Sequence, residues 1–201
     1  MTIGITGPNA AGKGEAAAYL VQKGYTYHSL SDVLREDLEL RGVPPTRENL
    51  IAIGNELRTL GGPGVLAERI LPRLHGALPG QRPHGKLADL TGRDVVDSIR
   101  NPAEVEVLRR LPGFVLIGVD APLEVRFARA VMRGRAGDGP TLEEFRAKEA
   151  RENSPDPSRQ QLARTFAMAD HTLSNEGSLE ELHRRVELLL RRLEAAETLR
   201  P

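Results

Sequence analysis

The residues best suited to chemistry lie near the start of the chain, in the segment Gly7-Pro8-Asn9-Ala10-Ala11-Gly12-Lys13. Its spacing is G-x-x-x-x-G-K, in which glycines let the backbone curl so that successive amides point at a polyphosphate. A lysine in the last position reaches the terminal phosphates, and the N-terminus of a following helix adds partial positive charge. The segment predicts a nucleotide-phosphate site, and the alternative is a Gly-rich turn with an incidental lysine.

The elements around this segment are those that such a site needs. The β-prone run Thr2 to Thr6 precedes it, and helix formers continue from Gly12 to Lys23, where Gly24 is a natural stop. A strand, a Gly-rich turn and a helix therefore follow one another, which is the context that makes the motif specific. A second strand is expected at Tyr25 to His28.

The rest of the chain alternates between helices and strands after one helical interruption. Residues 30 to 78 predict three helices, and Asn153 to Ser158 predicts irregular structure. Further strands are expected at Arg93 to Asp97, Phe114 to Val119 and 170 to 174. Further helices are expected from Asn101-Pro102 to Leu111, from Pro122 to about Arg133, from Thr141 onward, and from Ser178, which forms a capping box with Glu181.

This pattern predicts an α/β fold of three layers around a five-stranded parallel sheet. At 201 residues the chain has room for one domain. We expect a core of residues 1–30, 80–132 and 158–201, a helical insertion at 31–79 and a short lid region at 133–157.

Composition excludes several classes of function. The 28 Lys and Arg balance 28 Asp and Glu, which argues against binding nucleic acid or an anionic membrane by bulk charge. Seven aromatic residues are too few for a base-stacking platform, and no apolar run approaches a membrane span. The absence of cysteine excludes disulfides and thiolate metal sites, and it fits a cytoplasmic protein. Arginine makes up 24 of the 28 basic residues, through base composition or because guanidinium groups grip phosphates.

The loop continues as Gly12-Lys13-Gly14-Glu15, which resembles the Gly-Lys-Gly-Thr of adenylate kinases and UMP/CMP kinases. The resemblance implies a P-loop NTPase fold that uses ATP and Mg²⁺. Glu15 replaces the family's threonine, which puts an anion close to the phosphates. The nucleotide-binding residues implied are Gly7, Asn9, Ala10, Ala11, Gly12, Lys13, Gly14 and Glu15.

The same resemblance implies residues for the phosphate acceptor and the metal. Asp32 and Arg35 occupy the positions of the family's acceptor motif, and Arg58 matches a second acceptor arginine in the inserted helices. In Asp97-Ser98-Ile99-Arg100, the aspartate would act on magnesium and the arginine would grip the acceptor phosphate. The alternative for Arg100 is a structural ion pair with Asp97.

Arginines near the predicted lid complete the implied set. Phosphoryl transfer needs preorganised positive charge around the moving group, and the resemblance assigns that role to Lys13 and Arg100 together with Arg129, Arg133 and Arg135. Arg126 lies on the same helix face as Arg129 and Arg133, where it either contacts phosphate or belongs to a solvated charged helix end.

A second resemblance concerns the segment from Ala169 to Leu182, which is similar to the closing segment of dephospho-CoA kinases. It implies that Asn175 lies beside the adenine of ATP, and the alternative is a strand, turn and capped helix without ligand contacts. Three segments also resemble little-characterised prokaryotic P-loop kinases, namely Gly-Lys-Gly-Glu, Asp-Ser-Ile-Arg-Asn and Glu-Asn-Ser-Pro-Asp-Pro.

These resemblances imply an ATP-dependent phosphotransferase whose partner is a small-molecule phosphate acceptor. A nucleoside or deoxynucleoside monophosphate is the first expectation for the acceptor. The alternatives are a dephospho-CoA kinase-like enzyme and a nucleotide-binding regulatory protein with little transfer activity, which Glu15 favours. The sequence carries no signal of the acceptor's base or of oligomeric state.

Overall fold

The computed structural model describes residues 1–74, 92–135 and 137–198. Within them five strands form one parallel sheet, which confirms the predicted α/β fold. Every predicted strand is present, with its ends within one residue of the prediction. The strands are β1 (Thr2–Thr6), β2 (Thr26–Ser29), β3 (Asp94–Asp97), β4 (Val115–Asp120) and β5 (His171–Ser174).

The helices of the described residues also follow the predicted order, with two differences. The six-residue helix Leu162–Ala167 was not predicted, and the helix that begins at Pro102 ends at Leu108 rather than at Leu111. The helices are α1 (Lys13–Gln22), α2 (Leu30–Leu40), α3 (Arg47–Gly61), α4 (Val65–Ile70), α5 (Pro102–Leu108), α6 (Leu123–Arg133), α7 (Leu142–Ala150), α8 (Leu162–Ala167) and α9 (Leu179–Thr198). A 3₁₀ turn at Leu71–Arg73 follows α4.

The order of the strands places the predicted phosphate site at the centre of the sheet. The order is β2-β3-β1-β4-β5, so β1 lies between β3 on one side and β4 on the other. The chain runs from β1 to the β2 edge, returns through β3 and then crosses to β4. Ligands of open parallel sheets bind where the strand order reverses in this way, at the carboxyl ends of the strands.

Side chains from the strands build a hydrophobic core on each face of the sheet. Neighbouring residues of a strand point to opposite faces. Val95 and Ile117 pack on one face with α1 and α9, whereas Val96 and Leu116 pack on the other with α2 to α5. Both faces are therefore covered, and the carboxyl edge of the sheet is left for a ligand.

The predicted helical insertion packs onto one of these faces. Its described part contains α2, α3 and α4, which share one apolar cluster with β3, β4 and α5. The predicted end of the insertion at 75–79 and the start of the next core segment at 80–91 lie outside the described residues. The boundaries of core, insertion and lid therefore stay predictions.

Helix caps explain why several of these helices begin where they do. Thr46 accepts a hydrogen bond from the amide of Asn49 at the start of α3. The predicted capping box before α9 is confirmed, because Ser178 and Glu181 each accept the other's amide hydrogen bond. Among the described residues no helix is long and apolar enough to cross a membrane.

Candidate functional site

The phosphate loop connects β1 to α1 through two glycines that no other residue could replace without strain. Gly7 has φ +144°, and a Cβ built there would lie 2.0 Å from the carbonyl oxygen of Val119 on β4. Gly12 has φ +102° and immediately precedes α1. The left-handed backbone at these positions costs glycine little. The loop therefore curls tightly over the end of the sheet.

Lys13 is the first residue of α1 and folds back over this loop. Its ammonium donates a hydrogen bond to the carbonyl oxygen of Pro8 at 2.8 Å. Burial, and then the positive charge of Arg100, lower the pKa of Lys13 to about 8, because both disfavour the charged ammonium. The negative charges of Asp97 and Glu152 raise the pKa and offset part of this effect. A bound polyphosphate would place further negative charge beside this ammonium and so favour its charged form.

Glu15 and Gly14 bring no hydroxyl group to the loop, and Glu15 stands where the resembling kinases have threonine. Glu15 is exposed on the first turn of α1, and among the residues that the structure describes it has no ion-pair partner. Gly14 has no side chain to ligate magnesium. The groups that this loop offers to a phosphate are therefore its backbone amides, the helix N-terminus and Lys13.

Asp97 ends β3 beside the loop and has the chemistry of a magnesium site. One carboxylate oxygen accepts a hydrogen bond from the hydroxyl of Tyr27 at 3.3 Å, while the other is buried and has no hydrogen-bond partner in the described chain. Burial and then Asp97 raise the pKa of Tyr27 to about 12, so this hydroxyl stays protonated.

The orphaned oxygen of Asp97 suits a hard cation that keeps most of its waters. Magnesium is typically held by one or two carboxylates together with substrate phosphates. The described residues contain no group of three or more His, Cys, Asp or Glu side chains that could hold a metal ion. Bound there, magnesium would neutralise charge on the phosphates.

A cavity of about 760 Å³ opens next to the loop, between the sheet edge, the helices α2 and α3, and the predicted lid. Five arginines line it, together with the acidic residues Glu48, Asp97 and Glu152. The excess of positive charge favours an anionic ligand. The arginines are Arg35, Arg47, Arg58, Arg100 and Arg135.

Four of the predicted arginines, Arg35, Arg58, Arg100 and Arg135, line this cavity in different surroundings. Arg35 pairs with Asp32 at 2.6 Å, where both side chains are half exposed. Arg100 lies 2.9 Å from Glu152, so the alternative of a structural pair between Arg100 and Asp97 is wrong. Arg135 has no ion-pair partner among the described residues.

Arg58 differs because it is buried against a carboxylate. It is 3% exposed, and two of its guanidinium nitrogens donate to one oxygen of Glu104, at 3.2 and 2.8 Å. The other oxygen of Glu104 accepts the backbone amides of Arg100 and Asn101. Arg58 touches the cavity, but its charge is already compensated, and it fixes α3 to the start of α5.

The three arginines of α6 differ in their main partners. Arg126 is buried and pairs with Glu149, so a solvated helix end is wrong for this residue. Arg129 donates to the carbonyl oxygens of Asn175 and Gly177, and it therefore holds the turn after β5.

Besides Arg126, which donates to the carbonyl oxygen of Asn9 at 3.4 Å, Arg133 also contacts the phosphate loop. It donates to the side chains of Asn9 at 3.1 Å and Asp138 at 2.7 Å. Asp138 is buried and also accepts from Arg47 at 3.1 Å. The loop, the predicted lid and α3 therefore meet at one carboxylate.

Asn175 lies over the phosphate loop from the opposite side. Its side-chain amide donates to the carbonyl oxygen of Ala11 at 2.9 Å, and its backbone amide donates to Asp120. The turn after β5 is therefore fixed against the loop, and the adenine contact of Asn175 stays a prediction.

Sequence reasoning missed Arg47, Glu152 and Tyr27. Arg47 ion-pairs with both Asp138 and Glu152, and it comes directly after Thr46, the N-cap of α3. Glu152 is the first residue of the segment Glu-Asn-Ser-Pro-Asp-Pro, which resembles P-loop kinases as a whole but gives the glutamate no separate signal. Tyr27 lies in a strand and carried no separate signal.

Comparison with known proteins gives relatives along the whole chain. No protein-family model matches it. A UPF0200 protein of Methanoculleus marisnigri is 36% identical over 198 residues, which cover 97% of this chain and 98% of that one. A UPF0200 protein of Pyrococcus abyssi is 31% identical, with coverage of 96% and 97%. A UPF0200/UPF0201 protein of Archaeoglobus fulgidus is 35% identical over 95% of this chain, which spans 55% of that relative's length.

Solved structures show which fold this is. TT1252 from Thermus thermophilus is similar with 26% identity and a TM-score of 0.52, covering 96% of this chain and 97% of that one. A shikimate kinase from Aquifex aeolicus has 15% identity, a TM-score of 0.54 and coverage of 95% and 96%. A gluconokinase from Sinorhizobium meliloti has 16% identity, a TM-score of 0.51 and coverage of 98% and 95%. These likenesses show the P-loop kinase fold, and the relatives at 31 to 36% identity show that the chain belongs to the UPF0200 protein family.

Proposed function

We propose that the protein is an ATP-dependent phosphotransferase that moves the γ-phosphate of ATP to a phosphorylated small molecule, with nucleoside and deoxynucleoside monophosphates as the acceptor class. The observation that carries the proposal is the continuity of the site. Asn9 of the phosphate loop lines the same cavity as Arg35, Arg100 and Arg135. A donor on the loop and an anionic acceptor in the cavity would therefore meet near Asp97.

Each group in this arrangement has a physical task. The loop amides and Lys13 bind the donor phosphates, and the arginines of the cavity bind and orient the acceptor phosphate. Asp97, whose free oxygen lies beside the loop, would hold magnesium. Enclosure by α2, α3 and the segment around Arg135 would exclude water, which is the main competing acceptor.

The test is a coupled ADP-release assay with ATP, Mg²⁺ and a panel of acceptors. The panel contains AMP, CMP, UMP, GMP, the corresponding deoxynucleotides and dephospho-CoA. We expect acceptor-dependent ADP with at least one monophosphate, and none with Lys13→Met. ATP binding without acceptor-dependent ADP for any member would contradict the proposal, and turnover with dephospho-CoA alone would reassign the acceptor.

A nucleotide-binding regulatory protein is the second candidate. Two observations favour it, since Glu15 stands where the resembling kinases have threonine, and the arginines Arg47, Arg100 and Arg133 are already paired with carboxylates. This candidate predicts tight nucleotide binding in calorimetry with little turnover. Restored turnover in Glu15→Thr would decide between the two candidates in favour of an impaired kinase.

A further inference from the structure

The wall of the cavity contains a buried carboxylate that sequence reasoning did not assign. Glu152 is 4% exposed and lies just after α7. One of its oxygens accepts a hydrogen bond from Arg47 at 2.6 Å, and the other lies 2.9 Å from Arg100 without a hydrogen-bond geometry. All three side chains line the cavity.

The two arginines come from distant parts of the fold. Arg47 is the first residue of α3, whereas Arg100 follows β3. Two guanidinium groups that share one cavity repel each other unless a negative charge lies between them. Glu152 supplies this charge. Arg47 also pairs with Asp138, which in turn pairs with Arg133, so the three arginines and two carboxylates together keep a net charge of plus one, which still attracts an anion.

The chain that carries Glu152 is anchored to the core. The backbone amide of Gln161 donates to the carbonyl oxygen of Arg100 at 2.9 Å, and the backbone amide of Leu162 donates to that of Glu152 at 3.0 Å. The side chain of Asn101 donates to Pro157 and Arg159, each at 2.8 Å. The segment 152–161 is therefore attached to the residues that follow β3, which fixes the carboxylate relative to Arg100.

We propose that Glu152 is a positioning residue, which holds Arg47 and Arg100 side by side so that both bind one anionic group of the acceptor. This proposal rests on the proposed function, because it concerns the acceptor side of the same cavity. Fixed arginines bind a phosphate with less loss of side-chain freedom than mobile ones. Removal of the carboxylate charge therefore weakens acceptor binding even though it makes the cavity more positive.

The test is Glu152→Gln, which keeps the size of the side chain and removes its charge. We expect the acceptor KM to rise at least tenfold, while the KM for ATP and kcat change less than threefold. Arg47→Met should raise the acceptor KM by a similar factor, and the double variant should be no worse than either single variant, because both lose the same arrangement. An unchanged or lower acceptor KM in Glu152→Gln overturns the proposal.

Glu149→Gln is the matched control. Glu149 also pairs with an arginine, Arg126, but neither lines the cavity. We expect this variant to lose stability and to keep the acceptor KM within twofold of the parent. An equal rise of the acceptor KM in both variants would show that general loosening, and not the position of Arg47 and Arg100, is responsible.

A binding measurement separates this proposal from the proposed function. Thermal unfolding is followed with a nonhydrolysable ATP analogue on the loop and inorganic phosphate as the probe for the cavity. We expect phosphate to raise the Tm of the parent further and to have less effect on Glu152→Gln. If no acceptor gives turnover but this difference is found, the proposed function fails and the role of Glu152 stands. Equal phosphate shifts in parent and variant would overturn it.

Discussion

The side-chain amide of Asn9 donates a hydrogen bond to Asp138 at 3.0 Å, across 129 residues of sequence. This contact joins the phosphate loop to the segment ahead of α7. Asp138 also accepts from Arg47 and Arg133, so one buried carboxylate connects the loop, α3 and the end of α6. This carboxylate therefore helps to hold the segment over the site, together with the hydrogen bond from Lys148 to the carbonyl oxygen of Gly137 at 3.0 Å.

Asp138→Asn should loosen the segment over the site. Burial by itself raises the pKa of Asp138, but hydrogen bonds from Arg133 and Asn9 outweigh it and keep the pKa below its ordinary 3.8. The carboxylate is therefore charged at neutral pH, and its contribution is lost only as pH falls through this lowered pKa. We expect amides of residues 137–150 to exchange roughly thirtyfold faster at pH 7, for a loss of about 2 kcal/mol.

The control for Asp138→Asn is Glu143→Gln, on the exposed first turn of α7. It removes the same charge from the same segment but no buried contact, so exchange should stay close to that of the parent. Equal exchange rates in the parent and Asp138→Asn would show that other contacts hold the segment.

The lowered pKa of Lys13, about 8, predicts a pH dependence of nucleotide binding. Bound phosphates favour the charged lysine, so above pH 8 binding must also restore a proton. We expect the Kd for a nonhydrolysable ATP analogue to be flat from pH 7 to 8 and to rise by up to about tenfold per pH unit above it. Calorimetry across this range measures the effect.

Lys13→Arg is the matched variant, since an arginine stays charged throughout this range. Its affinity is expected to be lower than that of the parent but independent of pH. The ligand-free parent should also gain stability relative to Lys13→Met between about pH 8 and 10.5, because there the unfolded chain holds the proton that the folded chain has lost. A parent affinity that does not change above pH 8 would contradict the lowered pKa.

Because Arg58 is paired with Glu104, we expect its substitution to lower the stability of the fold. The family resemblance implied instead that Arg58 binds the acceptor. Arg58→Met leaves the fully buried Glu104 without its cation, which should lower the free energy of unfolding by about 3–5 kcal/mol. The double variant Arg58→Met with Glu104→Gln should recover part of this loss, because no unpaired charge remains. Urea unfolding measures both. An Arg58→Met protein as stable as the parent, with a raised acceptor KM, would restore the acceptor role.

Glu15 is expected to weaken phosphate binding through its charge. Because the side chain is exposed, solvent screens most of the repulsion, and Glu15→Thr should lower the Kd for ATP only about two- to fivefold. Glu15→Gln separates the loss of charge from the gain of a hydroxyl. If neither variant binds ATP more tightly at low salt, the carboxylate points away from the phosphates.

Local patterns predicted the elements of this fold well, and distant pairs poorly. The strand Val115–Asp120 was visible as an apolar run, and α9 as a capped amphipathic helix, since both depend on neighbouring residues. In contrast, α8 has only six residues before β5, whereas α4, also of six residues, is extended by the 3₁₀ turn Leu71–Arg73 and so shows a longer apolar period.

The ion-pair partners of the arginines could not be predicted from local sequence patterns. Glu152 lies 105 residues from Arg47, and Glu104 lies 46 residues from Arg58. An arginine that binds phosphate and one that is neutralised by a buried carboxylate have the same local sequence signal. Only the contacts of α3 with α5 and with the segment after α7 distinguish them.

Gly12→Ala tests whether Asn175 and the phosphate loop act as one unit. Gly12 has φ +102°, and a Cβ there would lie 2.1 Å from the side-chain nitrogen of Asn175. The alanine must therefore adopt a strained backbone and also displace the hydrogen bond from Asn175 to Ala11. We expect a loss of at least about 1 kcal/mol of stability and of at least tenfold in ATP affinity.

Gly24→Ala supplies the control, because Gly24 has φ +90° but open space around its Cβ. It should show the loss of stability from backbone strain without the loss of ATP affinity. Adding Asn175→Ala to Gly12→Ala removes the clash and should return part of the stability but not the affinity, if Asn175 supports the nucleotide site. If Gly12→Ala and Gly24→Ala bind ATP equally well, the turn after β5 has no influence on the phosphate loop, and the contact between Asn175 and Ala11 serves the fold alone.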